Sequence, residues 1–99
     1  MKAYAFHRAA QKEYGEAAKY YAKILPELGM RFYDEIERLI LAIRQNPDRY
    51  RAFDSPIRRH FSSVFPYAVL YVDQPDRVLI IAVMHMKRLP GYWRKRLPH

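Results

Sequence analysis

The chain has 99 residues, 51% of them apolar and none of them cysteine, with 18 Lys/Arg against 10 Asp/Glu for a formal charge of +8. That composition supports one domain over residues 1–99 with a conventional core, and it excludes disulfides and thiolate zinc sites. No stretch approaches the roughly 20 apolar residues of a bilayer span, and the start MKAYAFHRAA is too short and interrupted for a secretory signal, so a cytoplasmic protein without a membrane partner is expected.

Residues 2–6 alternate weakly and predict a short first strand. From Ala9 the period becomes helical, with Tyr14, Ala17/Ala18, Tyr21 and Leu25 on one face and Lys12, Glu13, Glu16, Lys19 and Lys23 elsewhere. Pro26 and Gly29 bracket a break or kink. A second helix carries Phe32, Ile36, Leu39/Ile40 and Ile43 on one face and closes at Asn46-Pro47, because a residue before proline is disfavoured in the helical region. The two apolar stripes make a hairpin that needs a common surface to cover.

Three strands supply it: 57–61, 67–72 and 77–86, the last two joined by the turn Asp73-Gln-Pro-Asp76. Short turns between consecutive strands predict an antiparallel meander. Val78 to Met84 is apolar on both faces, so that strand is expected to be central and covered on each side. The predicted class is α+β, ordered β-α-α-β-β-β, an antiparallel sheet meander with a helical hairpin packed on one face. The other face needs the C-terminal segment or a second protein chain, and a homodimer of the free protein is one way to supply that chain.

Charge is uneven. Residues 1–57 hold ten Lys/Arg and eight Asp/Glu, a net of +2; residues 58–99 hold eight Lys/Arg and only Asp73 and Asp76, a net of +6. Within His85–Arg96, read HMKRLPGYWRKR, Lys87, Arg88, Arg94, Lys95 and Arg96 stand beside Tyr92 and Trp93 with no acid among them. Pro90-Gly91 specify a turn and the two aromatics resist being left in water, so this segment is expected to be ordered and to meet an acidic partner. A solvated basic tail is the plainer alternative.

Leu28-Gly29-x-x-Phe32, Arg58-Arg59, Phe65-Pro66-Tyr67 and His85-x-x-Arg88-x-Pro90-x-Tyr92-Trp93-x-x-Arg96, in that order, resemble the RelE/ParE superfamily of toxins, often labelled plasmid stabilisation proteins, and are more similar to its ParE-type branch. The resemblance implies a toxin of a bacterial type II toxin–antitoxin module, neutralised by a cognate antitoxin and acting in one of two ways. ParE-type toxins poison DNA gyrase; RelE-type toxins cleave mRNA on the ribosome.

The two mechanisms ask different things of the residues. Cleavage by a ribose 2′-hydroxyl needs a proton acceptor, cations for the phosphorane charge and an acid for the leaving oxygen. His85 suits the first by its type, Arg59, Arg88 and Arg96 the second, and Tyr92 the third or a stacking role. Each has a plain alternative: His85 ends a buried strand and is only hydrogen-bonded there, Trp93 pins the tail, and Arg94-Lys95-Arg96 is solvated surface. An arginine turned inward among Arg58, Arg59 and His60 would need a carboxylate that the sequence does not identify. That strand lacks the lysines of the RelE pattern. Gyrase poisoning needs only a surface, here expected from Arg58, Arg59, Lys87, Arg88, Tyr92, Trp93, Arg94 and Arg96. No cofactor is expected, and no metal, because paired histidines with a carboxylate at ligand spacing are absent. A basic nucleic-acid-binding module without toxicity is the third class; it would bind with weak specificity and strong salt dependence. The preferred reading is a ParE-like gyrase inhibitor, with a RelE-like ribosome-dependent endoribonuclease as runner-up.

Overall fold

The computed structural model describes residues 1–98; His99 lies outside them. Strand β1 (Ala3–Phe6) passes into helix α1 (Arg8–Ile24) through the single residue His7. His7 has extended backbone, its N–H donates to the Ile80 carbonyl at 2.8 Å, and its Nδ1 accepts the N–H of Ala9 at 3.0 Å. One side chain thus satisfies an otherwise orphaned donor of the helix while its backbone ends the strand.

Helix α2 (Pro26–Gln45) starts one residue later. The expected break falls on Leu25 alone, which is extended (φ −160°, ψ 127°), with Pro26 at the first helical position where its missing N–H is harmless. Gly29 has a different task from breaking the chain. A Cβ there would sit 2.6 Å from the Ala22 Cβ, so the glycine lets the two helices fold back against one another.

The sheet adds β2 (Ala52–Asp54), β3 (Ile57–Phe61), β4 (Tyr67–Asp73) and β5 (Arg77–His85), in the order β1-β5-β4-β3-β2. The meander of β3, β4 and β5 is antiparallel as expected, and the helical hairpin packs on one face. Two features make the sheet larger and mixed. The αα hairpin carries the chain from β1 to the far edge of the sheet and the meander returns it beside β1, so β5 pairs with β1 in parallel, Ala3 opposite Arg77 and Phe6 opposite Ile80. The three-residue β2 adds an edge to β3 with a register shift, too short for any periodicity to announce it.

Alternation along the strands divides the core in two. Val69, Tyr71, Val78, Ile80 and Val83 meet Phe32, Ile36 and Leu39 beneath the helices. Ile57, Leu70, Val72, Ile81 and Met84 form the second core, and its lid is Trp93, 2% exposed, flanked by Tyr92 and Leu97. The C-terminal segment therefore covers the core of the face that the helices leave open. The hairpin's outer surface keeps Tyr20, Ile24, Leu25, Met30 and Tyr33 in solvent.

Candidate functional site: a basic aromatic rim along strand β5

The partner of β5 runs out halfway. Pairing with β1 stops at Ile80, which leaves the Ile81 carbonyl and the Val83 N–H on an uncovered edge. Glu13, from the middle of α1, supplies the missing acceptor: its Oε1 takes the Val83 N–H at 3.1 Å. Arg96 supplies the missing donor, its Nη1 reaching the Ile81 carbonyl at 3.1 Å. The two then pair with each other through both guanidinium nitrogens, at 2.8 and 3.1 Å, and the Tyr92 hydroxyl donates to the same carboxylate at 2.7 Å. Such a two-pronged charge-assisted contact fixes orientation as well as position. It locks the segment after β5 onto α1.

Arg96 is accordingly not solvated surface. Its side chain is 10% exposed and that of Glu13 is 15%. Sequence reasoning placed the acids away from the basic segment, and Glu13 reads there as one more surface charge of α1. The only signal available was its position on α1 beside the apolar stripe. Burial and then the Glu13 carboxylate push the Tyr92 phenol well above its ordinary value, so it stays protonated. Arg88 lies over one part of that ring at 4.0 Å and Arg96 at 4.9 Å.

His85 stands at the end of β5 on the helix-facing side, opposite Tyr67 in register and edge-on to its ring at 5.1 Å. Its Nδ1 accepts the N–H of Lys87 at 3.0 Å, which shapes the exit from the strand. With Arg88, Tyr92, Tyr67, Glu13 and Tyr20 it lines a cavity of about 260 Å³ between α1 and the rim.

Arg59 lies elsewhere. It pairs with Leu70 on β3 and so projects to the Trp93 side of the sheet. Its guanidinium sits between the rings of Phe53, at 4.3 Å, and Phe61, at 4.7 Å. It faces a second cavity of about 370 Å³, with Phe53, Met84, Met86, Trp93, Arg88 and Arg94 among its walls. Arg88 alone among the expected catalytic residues reaches both cavities. The structure brings His85, Arg88 and Tyr92 together and leaves Arg59 on the opposite face.

The remaining expected binding residues divide by partner. Arg94 grips Asp54 of β2 at 2.7 and 3.1 Å, tying the segment to the far edge of the sheet. Gly91 makes that possible: its φ is +78°, and a Cβ would meet the Arg94 Nη1 at 2.8 Å. Trp93 is core, and its ring stands edge-on to Phe53 at 5.6 Å. Lys87 is exposed. Arg58 turns to the helix side and, instead of a carboxylate, donates to the carbonyls of Asp48 and Tyr50 at 3.1 and 2.8 Å. His60 stacks on Tyr50 at 3.9 Å, and burial, with Arg38 nearby, pushes its imidazole below the ordinary value.

A second buried carboxylate, Glu35, is 8% exposed and is held by Arg38 at 2.7 and 3.1 Å and by the Ser62 hydroxyl at 2.6 Å. The Arg38 contact, with help from Ser62, keeps it below the usual carboxylate range. Ser62 also accepts the N–H groups of Val64 and Phe65. This network braces the β3–β4 turn. Among the described residues no cluster of histidine and acidic side chains forms a metal site, and no helix is long and apolar enough to cross a membrane.

An αα hairpin on a mixed five-stranded sheet is the fold of a RelE/ParE superfamily member of the ParE-like kind. The chain belongs to the family described as the ParE toxin of the type II toxin-antitoxin system parDE, whose pattern it matches over residues 4–90. The same fold occurs in a chain of the chromosomal ParDE TA system from P. aeruginosa. That match has a TM-score of 0.75 at 12% identity and covers 86% of this chain and 96% of that one. No curated protein matches the sequence.

Proposed function

We propose that the protein acts as the toxin of a type II toxin–antitoxin pair in the cytoplasm, held silent by a cognate antitoxin, and that it inhibits DNA gyrase by binding it. Family membership supports the toxin role. The observation that carries the choice of mechanism is the fate of the chemically able residues. Tyr92 and Arg96 are engaged with Glu13 in bracing the rim, and Arg59 is on the far side of the sheet from His85. What remains outward is a rigid surface of arginines and aromatic edges, which suits binding to a protein. Purified gyrase incubated with supercoiled DNA and this protein is expected to accumulate trapped double-strand breaks. Unchanged gyrase cleavage and supercoiling would sink the mechanism, and normal growth under confirmed soluble expression without antitoxin would sink the toxin role as well.

One observation favours ribosome-dependent mRNA cleavage as the second reading: His85, Arg88 and Tyr92 share the cavity beside α1. Transcripts cut at codon-phased positions in the presence of ribosomes would establish it. Under the gyrase reading, His85→Ala leaves toxicity intact in a folded protein.

A further inference from the structure

The cavity on the Trp93 side of the sheet has a composition that the family resemblance does not explain. Arg59 lies over two phenylalanine rings and Arg88 over Tyr92, so both guanidiniums are anchored by ring contacts. Ring contacts of this kind leave the in-plane N–H donors free. Among the described residues neither side chain has a carboxylate or carbonyl partner. Arg94, the third cation at the cavity, is already matched by Asp54, so the walls carry an unbalanced charge of two. Met84, Met86 and Trp93 line the same cavity.

We propose that this cavity is the docking seat for an acidic segment of the target protein, which inserts an apolar side chain between Met84 and Met86 and sets a neighbouring carboxylate on Arg59 and Arg88. The proposal rests on the protein-binding reading of the rim but not on gyrase being the protein. Charge chooses an anion, and two pre-oriented forks choose a planar oxyanion such as carboxylate or phosphate. The walls then choose between them. Trp93, the largest ring of the wall, is 2% exposed and offers a nucleobase no open face, and Arg59 already occupies one face each of Phe53 and Phe61. Flexible thioethers beside arginine and tryptophan are instead the composition of surfaces that accept a protein side chain.

Trp93 is the chain's one tryptophan and forms part of the wall, so its fluorescence reports occupancy directly. Random short peptides displayed on phage, selected on the wild-type protein and counter-selected on the Arg59→Gln/Arg88→Gln variant, are expected to converge on an acid next to a large apolar residue. A synthetic peptide of the selected sequence is expected to shift Trp93 emission, and each substitution to weaken it roughly tenfold. Arg59→Lys is expected to weaken it comparably, because it keeps the charge but loses the fork. Circular dichroism checks the fold, and because Arg88 is exposed, Arg88→Gln alone carries the test if the double variant does not fold. Failure to select any peptide, or selection without acids, overturns the proposal. So does a single-stranded DNA or RNA oligonucleotide whose shift of Trp93 depends on these arginines. Antitoxin binding is expected to survive the double substitution; its loss would give the cavity to the antitoxin and overturn the proposal too. A negative gyrase assay with positive peptide selection would reject gyrase while leaving the seat in place.

Discussion

Glu13 and Arg96 face each other across 83 positions of sequence, joined by two hydrogen bonds of 2.8 and 3.1 Å at the unpaired edge of β5. Both are mostly buried, so removing either partner leaves an uncompensated charge beside strand groups that have lost their cover. Glu13→Gln and Arg96→Met are each expected to destabilise the fold by about 3 kcal/mol in urea unfolding. The double variant should lose much less than the sum. Additive losses would show that the two residues act independently.

Trp93 tests whether the segment is structural cover. Its truncation to alanine opens the second core and is expected to cost about 3–5 kcal/mol, with new binding of a hydrophobic dye to the uncovered face. A loss under about 1 kcal/mol would mean that the lid contributes little.

Gly91 sets the path of the lid. At φ +78° an alanine is strained by about 1–2 kcal/mol, and its Cβ displaces Arg94 from Asp54. Gly91→Ala is therefore expected to lower the thermal midpoint and to loosen the rim's amides in hydrogen exchange, leaving helix protection unchanged. Uniform loss of protection would contradict this.

The pH dependence near neutrality follows from His60. Its imidazole in the folded state lies below the ordinary value of 6.5, chiefly through burial, so the unfolded chain binds the proton more readily. Stability from neutral His60 is complete above about pH 6.5 and is lost as the pH falls through the folded value. Glu35 is held below the usual carboxylate range and adds its loss only in more acidic solution. Urea midpoints are expected to drop between about pH 7.5 and 5.5, and His60→Gln to flatten the slope. An unchanged slope in that variant would assign it to another group.

Periodicity made most of the fold legible. The stripe Phe32, Ile36, Leu39, Ile43 and the doubly apolar Val78–Met84 state their own burial, and each lies where it was expected. What stayed hidden is non-local. β2 is three residues long and owes its existence to β3, while β1 owes its parallel partner to the last strand of the returning meander. For the site, the sequence names residue types but does not distinguish their faces. Arg59 and His85 separate because strand alternation and the register of β3 and β5 send them to opposite sides. Glu13 was invisible because an acid on a helix looks the same whether it meets water or an arginine that lies 83 residues away.

The parallel pairing of β1 with β5 has a consequence for the order in which surfaces become available. The helical hairpin and the β3–β5 meander close through short loops, whereas β1 must find residues 77–80 and α1 must find Arg96. Long closures are entropically the most expensive and the slowest to complete. The hairpin, with Tyr20, Ile24 and Met30 outward, is thus expected to exist before the rim does. A partner that grips the hairpin can engage a chain that is still assembling, while anything that recognises the rim must wait for the finished molecule.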